Sequence, residues 1–278
     1  MNNSTNEKTI IETFDWNQLP LEELKVIQSR IGKAIDLKIN DLYLTNNTKI
    51  YRYKGTLAQV FPARLRSSLA EYQNCIFGIS LGSKNFVFRE RIEACIKWIS
   101  ENFDNCLVFV GDSVYRLTIQ VRQQVREEEA WLEAIRSGEE FMQENYDLFE
   151  RYSQSCSFKF QKASEIAKQS DFDRYYQELQ SLYKNNESFQ SLVNAFAQKY
   201  LNRSEESEPE EVDDFRHHLG ITYLLEESAL IANLVNQGWL TFVYPGSIKT
   251  FEEISEGLHP GVPEPLKQMI WVSLRLKK

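Results

Sequence analysis

Histidine is scarce in this chain: His217, His218 and His259 are the three in 278 residues, which leaves a histidine-rich metal site without ligands. Cysteine is scarce too. Cys75, Cys95, Cys106 and Cys156 stand among apolar neighbours with no Cys-x-x-Cys spacing, so they are expected as reduced core thiols rather than a disulfide frame or a zinc site, and no metal is expected. No stretch approaches the ~18 apolar residues of a membrane span, and the polar start from Met1 to Lys8 lacks an apolar signal core. A soluble cytoplasmic protein with no membrane partner is therefore expected. Positive charge is in deficit as well, 32 Lys and Arg against 40 Asp and Glu, and the net charge of −8 taken alone argues against a nucleic-acid partner.

The distribution of charge says otherwise. From Lys25 to Arg66 nine basic residues face two acidic ones, Asp36 and Asp41, and Tyr43, Tyr51, Tyr53 and Phe61 are interleaved among them. With a Debye length of about 8 Å at physiological salt, such a patch attracts phosphates although the rest of the chain is acidic. An ordinary solvated helix face and hairpin fits the same residues. Residues 205–214 carry seven acidic residues and Pro209, and read as an exposed linker loop. The expected organisation is a flexible start over 1–9 and a single α/β domain over 10–278, with the acidic loop at 204–213 inside it. No internal repeat is visible.

What is there begins with Cys75–Ser83, CIFGISLGS, an apolar run that ends in a serine between two glycines. A continuous apolar run is the signature of a strand buried on both faces, and the glycines are expected to let the chain turn sharply and leave the Ser80 hydroxyl at the strand's carboxyl end. Gly78-x-Ser80-x-Gly82 fits a nucleophile elbow; a strand ending in a plain turn with a capping serine fits it as well. Phe88, Ile92, Cys95, Ile96, Ile99 and Phe103 recur at helical spacing, and the apolar strand 106–110 ends at Gly111-Asp112-Ser113. This strand, helix, strand unit predicts parallel pairing, with Ser80 and Asp112 at the edge where open α/β sheets bind ligands. One long helical stretch is expected over 114–150, a weak strand at 157–161, helices over 171–201, a helix from Asp213 to about Asn236, and strands at 239–244 and 269–276.

Tyr223 and Glu227, four residues apart on the helix after Asp213, share one face with Leu219, Leu230 and Leu234. A carboxylate in an apolar stripe is costly to ionise unless a cation meets it; a substrate ammonium would serve, as would a lysine or solvent at the stripe's edge. Tyr244, followed by Pro245, closes a late apolar strand and is expected to face the same crevice as Ser80.

Together these residues resemble the tRNA-dependent cyclodipeptide synthases. Gly78–Phe86 (GISLGSKNF) is similar to the serine-bearing segment of that family, Tyr223–Glu227 (YLLEE) to its tyrosine and glutamate four apart, Tyr244 to its strand-closing tyrosine, and Asn202-Arg203 to its Asn-Arg pair. Ser83 stands where one subfamily has asparagine, and Pro245 resembles the subfamily with proline after the tyrosine. The resemblance implies a Rossmann-like α/β fold, a mostly parallel sheet flanked by helices, like the catalytic domain of class I aminoacyl-tRNA synthetases. It implies an enzyme that consumes two aminoacyl-tRNAs and no cofactor to make a 2,5-diketopiperazine; a monomer is expected. Ser80 would carry a covalent aminoacyl group, Tyr223 and Glu227 would hold its amine, and the second aminoacyl group would accept the first to give a dipeptidyl-enzyme. Tyr244 would then relay the proton as the ring closes. Ile76, Val108, Leu230 and Phe242 would line an apolar pocket for the first side chain, with Gly78, Ser83, Asn202 and Pro245 close by.

Activated esters require no ATP site, and no Walker A, HIGH or KMSKS pattern is present. The chain departs from the family at residues 114–150, where four arginines face nine acidic residues in place of a basic helix. The tRNA is therefore expected on Lys49, Arg52 and Lys54, with Lys84, Arg89 and Arg91 near the site. Phe172 is read where the family has a tyrosine. Two alternatives compete: a serine hydrolase using Ser80, Asp112 and His259 in that order, and a non-catalytic RNA-binding relative of the synthetases.

Overall fold

The computed structural model describes residues 53–202 and 214–278, together with Leu19, Pro20, Glu23, Leu24 and Ile27. The start at 1–9, Lys49, Arg52, Arg203 and the acidic stretch 204–213 lie outside the described residues, and Asn202 is described in its backbone alone. The chain divides into Met1–Tyr51 and Arg52–Lys278, and the second unit carries every element below.

Six strands, β1 (Lys54–Phe61), β2 (Asn74–Ile79), β3 (Asn105–Val110), β4 (Ser157–Lys162), β5 (Thr241–Pro245) and β6 (Ile270–Lys277), form one sheet in the order β1-β6-β5-β2-β3-β4. Every neighbouring pair is parallel except β1 and β6. β2 and β3 lie inside the sheet and are buried from their second residue onward, which is why they read as unbroken apolar runs. From β2 the chain moves outward through β3 to β4, and from β5 outward the other way to β6, so the order reverses between β2 and β5. Ligand crevices of open α/β sheets form at such a switch point. Here the register makes the crevice visible. β2 pairs with β5 only over Cys75–Phe77 and Thr241–Val243, whereas β2 follows β3 to Ile79 and β5 follows β6 to Pro245. Past Phe77 and Val243 the carboxyl ends of β2 and β5 are no longer paired with each other, which leaves a gap between them.

Helices cover both faces. α1 (Arg89–Ser100) and α3 (Glu127–Glu150) pack on one, where Phe77, Val108, Val243 and Val272 meet Ile92, Ile96 and Phe149. α2 (Asp112–Gln123), α4 (Ser170–Asn185), α5 (Glu187–Asn202) and α6 (Asp214–Asn236) build the larger core on the other, over Ile76, Phe109, Phe242 and Trp271. A single helical turn, Ala163–Ile166, follows β4, and α7 (Lys249–Ser255) and α8 (Glu264–Gln268) complete the chain before β6. α6 is buried on nearly every side from Leu219 to Val235, as an interior helix must be when its apolar residues leave no polar face.

Three expectations need correction. Residues 114–150 are not one helix, because Gln124 takes a left-handed conformation (φ 54°) and caps α2 before α3 begins. β1 is not expected from the sequence, where Lys54–Phe61 falls in a basic segment. Gly78 and Gly82 are not at positive φ; their role is space. A Cβ on Gly78 would stand 2.5 Å from the Phe242 ring, and one on Gly82 would stand 3.1 Å from Tyr115.

Candidate active site

A cavity of about 440 Å³ opens at the carboxyl ends of β2 and β5, and Ser80, Tyr223, Glu227 and Tyr244 all line it. Three separate elements supply them. Ser80 is the first residue past β2, Tyr244 is the penultimate residue of β5, and one turn of α6 presents Tyr223 and Glu227 together. Ser83 and Lys84 lie on the wall formed by the loop after Ser80.

The Tyr223 hydroxyl donates to Glu227 Oε1 at 3.5 Å. Burial pushes the Tyr223 phenol well above its usual range, the nearby Glu227 charge pushes it further, and a hydrogen bond with Ser80 pulls the other way. Burial also raises the Glu227 carboxyl from 4.5 to about 7, against the lowering effect of the Tyr223 bond. Its neighbour in sequence behaves differently. Glu226 is locked to Arg116 by two 2.7 Å bonds, with the two side chains only 13% and 11% exposed, while the Arg116 guanidinium also lies over the Trp131 ring. Glu226 thus has its cation, whereas Glu227 has no ion-pair partner among the described residues. A cavity with a hydroxyl nucleophile at one wall and an unneutralised carboxylate at another suits a substrate with an electrophilic carbon beside an ammonium group.

Several residues of the site carried no signal in the sequence. Tyr200 and Phe196, on α5, line the cavity; the Tyr200 ring lies 4.8 Å from that of Tyr223, and Phe196 stacks on both. The Tyr200 hydroxyl shares a 2.5 Å hydrogen bond with Thr118 of α2, and burial raises its pKa. Arg122 of α2 lies on the cavity wall with its guanidinium toward the Gly82 carbonyl. Asn85 and Ile248 also line the cavity. In the sequence Tyr200 and Phe196 look like any core pair at i, i+4, and Thr118 meets its partner 82 residues away.

The expected side-chain pocket is arranged differently. Ile76, Leu230 and Phe242 sit in the core on the α6 side, but Val108 is buried on the opposite face of the sheet, because neighbouring positions of β3 alternate and it is Leu107 and Phe109 that face α6. None of the four lines the cavity. Phe172 is also elsewhere, stacked on Tyr176. Among the expected cations, Lys84 is on the cavity wall and Arg91 donates to its carbonyl. Arg89 is turned toward α3, bonded to Asp147 and the Glu144 carbonyl. Lys54 opens β1 in register with Lys277.

The hydrolase triad is not assembled. Asp112 is fully buried and its oxygens accept from Ser113 N, Ser164 N and Ser164 Oγ. His259 meets Glu253 at 3.1 Å and lines a neighbouring groove, not the Ser80 cavity. Ser80 is also outside the positive-φ conformations, without the strained strand-to-helix turn of an elbow. A chain of loop residues from Ser80 to Phe88 separates it from α1.

No family model and no curated protein matches the chain by sequence. Solved structures do match. The CDPS, or cyclodipeptide synthase, from Fluoribacter dumoffii is 25% identical, with a TM-score of 0.68 over 81% of this chain and 99% of its own. A Mycobacterium tuberculosis protein, described as demonstrating that cyclodipeptide synthetases are related to type I tRNA synthetases, gives a TM-score of 0.57 at 11% identity over 81% and 93%. The cyclodipeptide synthase from Candidatus Glomeribacter gigasporarum, solved bound to Phe-tRNAPhe, gives 0.56 at 18% over 76% and 91%. By its fold, and in sequence by its likeness to the Fluoribacter dumoffii protein, the chain is a structural relative of the cyclodipeptide synthases.

Proposed function

We propose that this chain is a cyclodipeptide synthase that forms a 2,5-diketopiperazine from two aminoacyl-tRNAs through a covalent intermediate on Ser80. The observation that carries the reading is the assembly of Ser80, Tyr223, Glu227 and Tyr244, drawn from β2, α6 and β5, around one cavity with no histidine in its lining. An aminoacyl ester is already activated, so the protein need supply only a nucleophile, an ammonium site and a proton path.

Ser80 Oγ attacks the carbonyl carbon of the first ester. The bond to the ribose oxygen breaks, and the serine proton ends on that oxygen. Glu227, ionised, holds the ammonium of the bound aminoacyl group with Tyr223. Once Glu227 has taken up a proton from it, the free amine attacks the second ester carbonyl, and the second tRNA leaves with a proton on its ribose oxygen. The amine of the second residue then attacks the Ser80 ester. Tyr244 relays the proton from that amine to Ser80 Oγ, which closes the six-membered ring and restores the hydroxyl. A groove of about 400 Å³ shares Phe196, Tyr200 and Ile248 with the first cavity, and receives the second aminoacyl group.

The tRNA lies against the exposed cations at the rim and on the β1–β6 edge. Lys54 and Thr56 face Lys277 and Arg275 in register, so Lys54, Arg275 and Lys277 share one face of that ribbon. The shared fold with a protein solved on Phe-tRNAPhe supports this class of partner. Reversing all three charges is expected to weaken aminoacyl-tRNA binding at least tenfold and to flatten its salt dependence; an unchanged slope would place the RNA elsewhere. The reaction itself is tested by mass spectrometry of medium from cells expressing the chain. A cyclic dipeptide absent from the empty-vector control is the expected result, and soluble protein without one overturns the reading.

A further inference from the structure

Asn85 lies five residues past Ser80, in the loop that leads to α1, yet its side chain reaches the other strand of the crevice. Nδ2 donates to the Pro245 carbonyl at 2.6 Å, a contact across 160 residues. The orientation of the amide is forced, since a carbonyl oxygen only accepts and Asn Oδ1 could not bond it. The loop behind Asn85 is fixed to Ser80 by successive turns: Ser83 N donates to the Ser80 carbonyl, Asn85 N to Ser83 Oγ, and Phe86 N to the Ser83 carbonyl. The next ring, Phe86, meets Tyr244 edge-on at 5.9 Å. The strands themselves cannot hold this distance, because pairing between β2 and β5 ends at Phe77 and Val243.

We propose that Asn85 is a positioning residue: its amide spans the gap where the two strands stop pairing and sets Tyr244 against Ser80. The inference rests on the synthase reading above. In that reading the first acyl transfer uses Ser80 with the amine site on α6, whereas ring closure also needs Tyr244 beside the Ser80 ester. Loss of the Asn85 bond therefore falls on the late step. A displacement of about 1 Å in a reacting group can cost on the order of a hundredfold in rate.

The test follows a single turnover with radiolabelled aminoacyl-tRNA in the full-length wild type, Asn85→Ala and Asn85→Asp. Asn85→Asp keeps the shape but turns a carboxylate oxygen on the Pro245 carbonyl, and a melting curve for each variant verifies folding. The expected result is labelling of Ser80 within about threefold of wild type in both variants, a ten- to hundredfold slower release of diketopiperazine, and accumulation of acyl-enzyme. Diketopiperazine release within threefold of wild type, or equal losses in labelling and release, overturns the positioning role. If the wild type itself is never labelled, the synthase mechanism falls, and this inference with it.

Discussion

Ser80→Ala is expected to abolish diketopiperazine formation, by more than about a thousandfold, and to remove all acyl label from the protein. Four other hydroxyls on the cavity wall are less suited to the attack. The Ser83 hydroxyl accepts from Asn85 N, Thr118 is tied to Tyr200, and the phenols of Tyr200 and Tyr223 have pKa values raised by burial. The cysteines offer no alternative: all four are buried, and desolvation pushes the Cys95 and Cys156 thiols up to about 12. The substitution removes one hydroxyl from a half-buried position at a strand end, so the fold should be untouched and aminoacyl-tRNA should still bind. Intact-protein mass spectrometry after mixing with aminoacyl-tRNA reads the outcome directly. A mass gain of one aminoacyl group in wild type and none in the variant is the expected pair. A cyclic dipeptide made by Ser80→Ala at more than a few per cent of the wild-type rate would mean that the second amine attacks the first tRNA ester without an enzyme-bound intermediate.

The sequence was most legible where burial is extreme. β2, β3 and β5 announce themselves because strands covered on both faces cannot carry polar residues, and their carboxyl ends locate Ser80 and Tyr244. Tyr223 and Glu227 were legible because an interior helix makes a carboxylate conspicuous. β1 was obscured because an edge strand keeps polar residues on its open side, and Lys54–Phe61 mixes them with apolar ones. The break at Gln124 has no glycine to mark it. The roles of Gly78 and Gly82 are not legible in the sequence, because a glycine required for space and one required for φ look alike until Phe242 and Tyr115 are in place. Asn85, Thr118 and Tyr200 act through partners 82 to 160 residues distant, a distance that spacing rules do not cover.

Glu227→Gln is expected to trade activity for stability, in opposite directions and with a defined dependence on pH. The carboxyl titrates near pH 7 in the folded protein against 4.5 in its ordinary state, with burial as the cause. Below pH 4.5 the group is protonated folded or unfolded and carries no penalty. Between 4.5 and 7 the folded protein retains a proton that the unfolded chain releases, so stability falls as pH rises through that window and levels off above it. The difference corresponds to at most about 3 kcal/mol, and the open cavity, which admits water to the carboxylate, brings it to about 1 to 3 kcal/mol. Glutamine has the same shape without the charge, so the variant should melt several degrees above wild type at pH 8 and alongside it at pH 4 to 5. Catalysis moves the other way. The wild-type kcat/KM should rise with pH through about 7 as Glu227 ionises and becomes able to hold an ammonium. The variant should lose about a hundredfold or more, and the remaining activity should no longer follow that titration. Thermal melting and initial rates across pH 5 to 9 check both halves. A variant that melts below wild type at pH 8 would mean that Glu227 already has a cationic partner in the free protein, and its role as the ammonium site would be lost. The cost of keeping an unneutralised carboxylate in a buried wall is then the reason the cavity is primed for a cation before any substrate arrives.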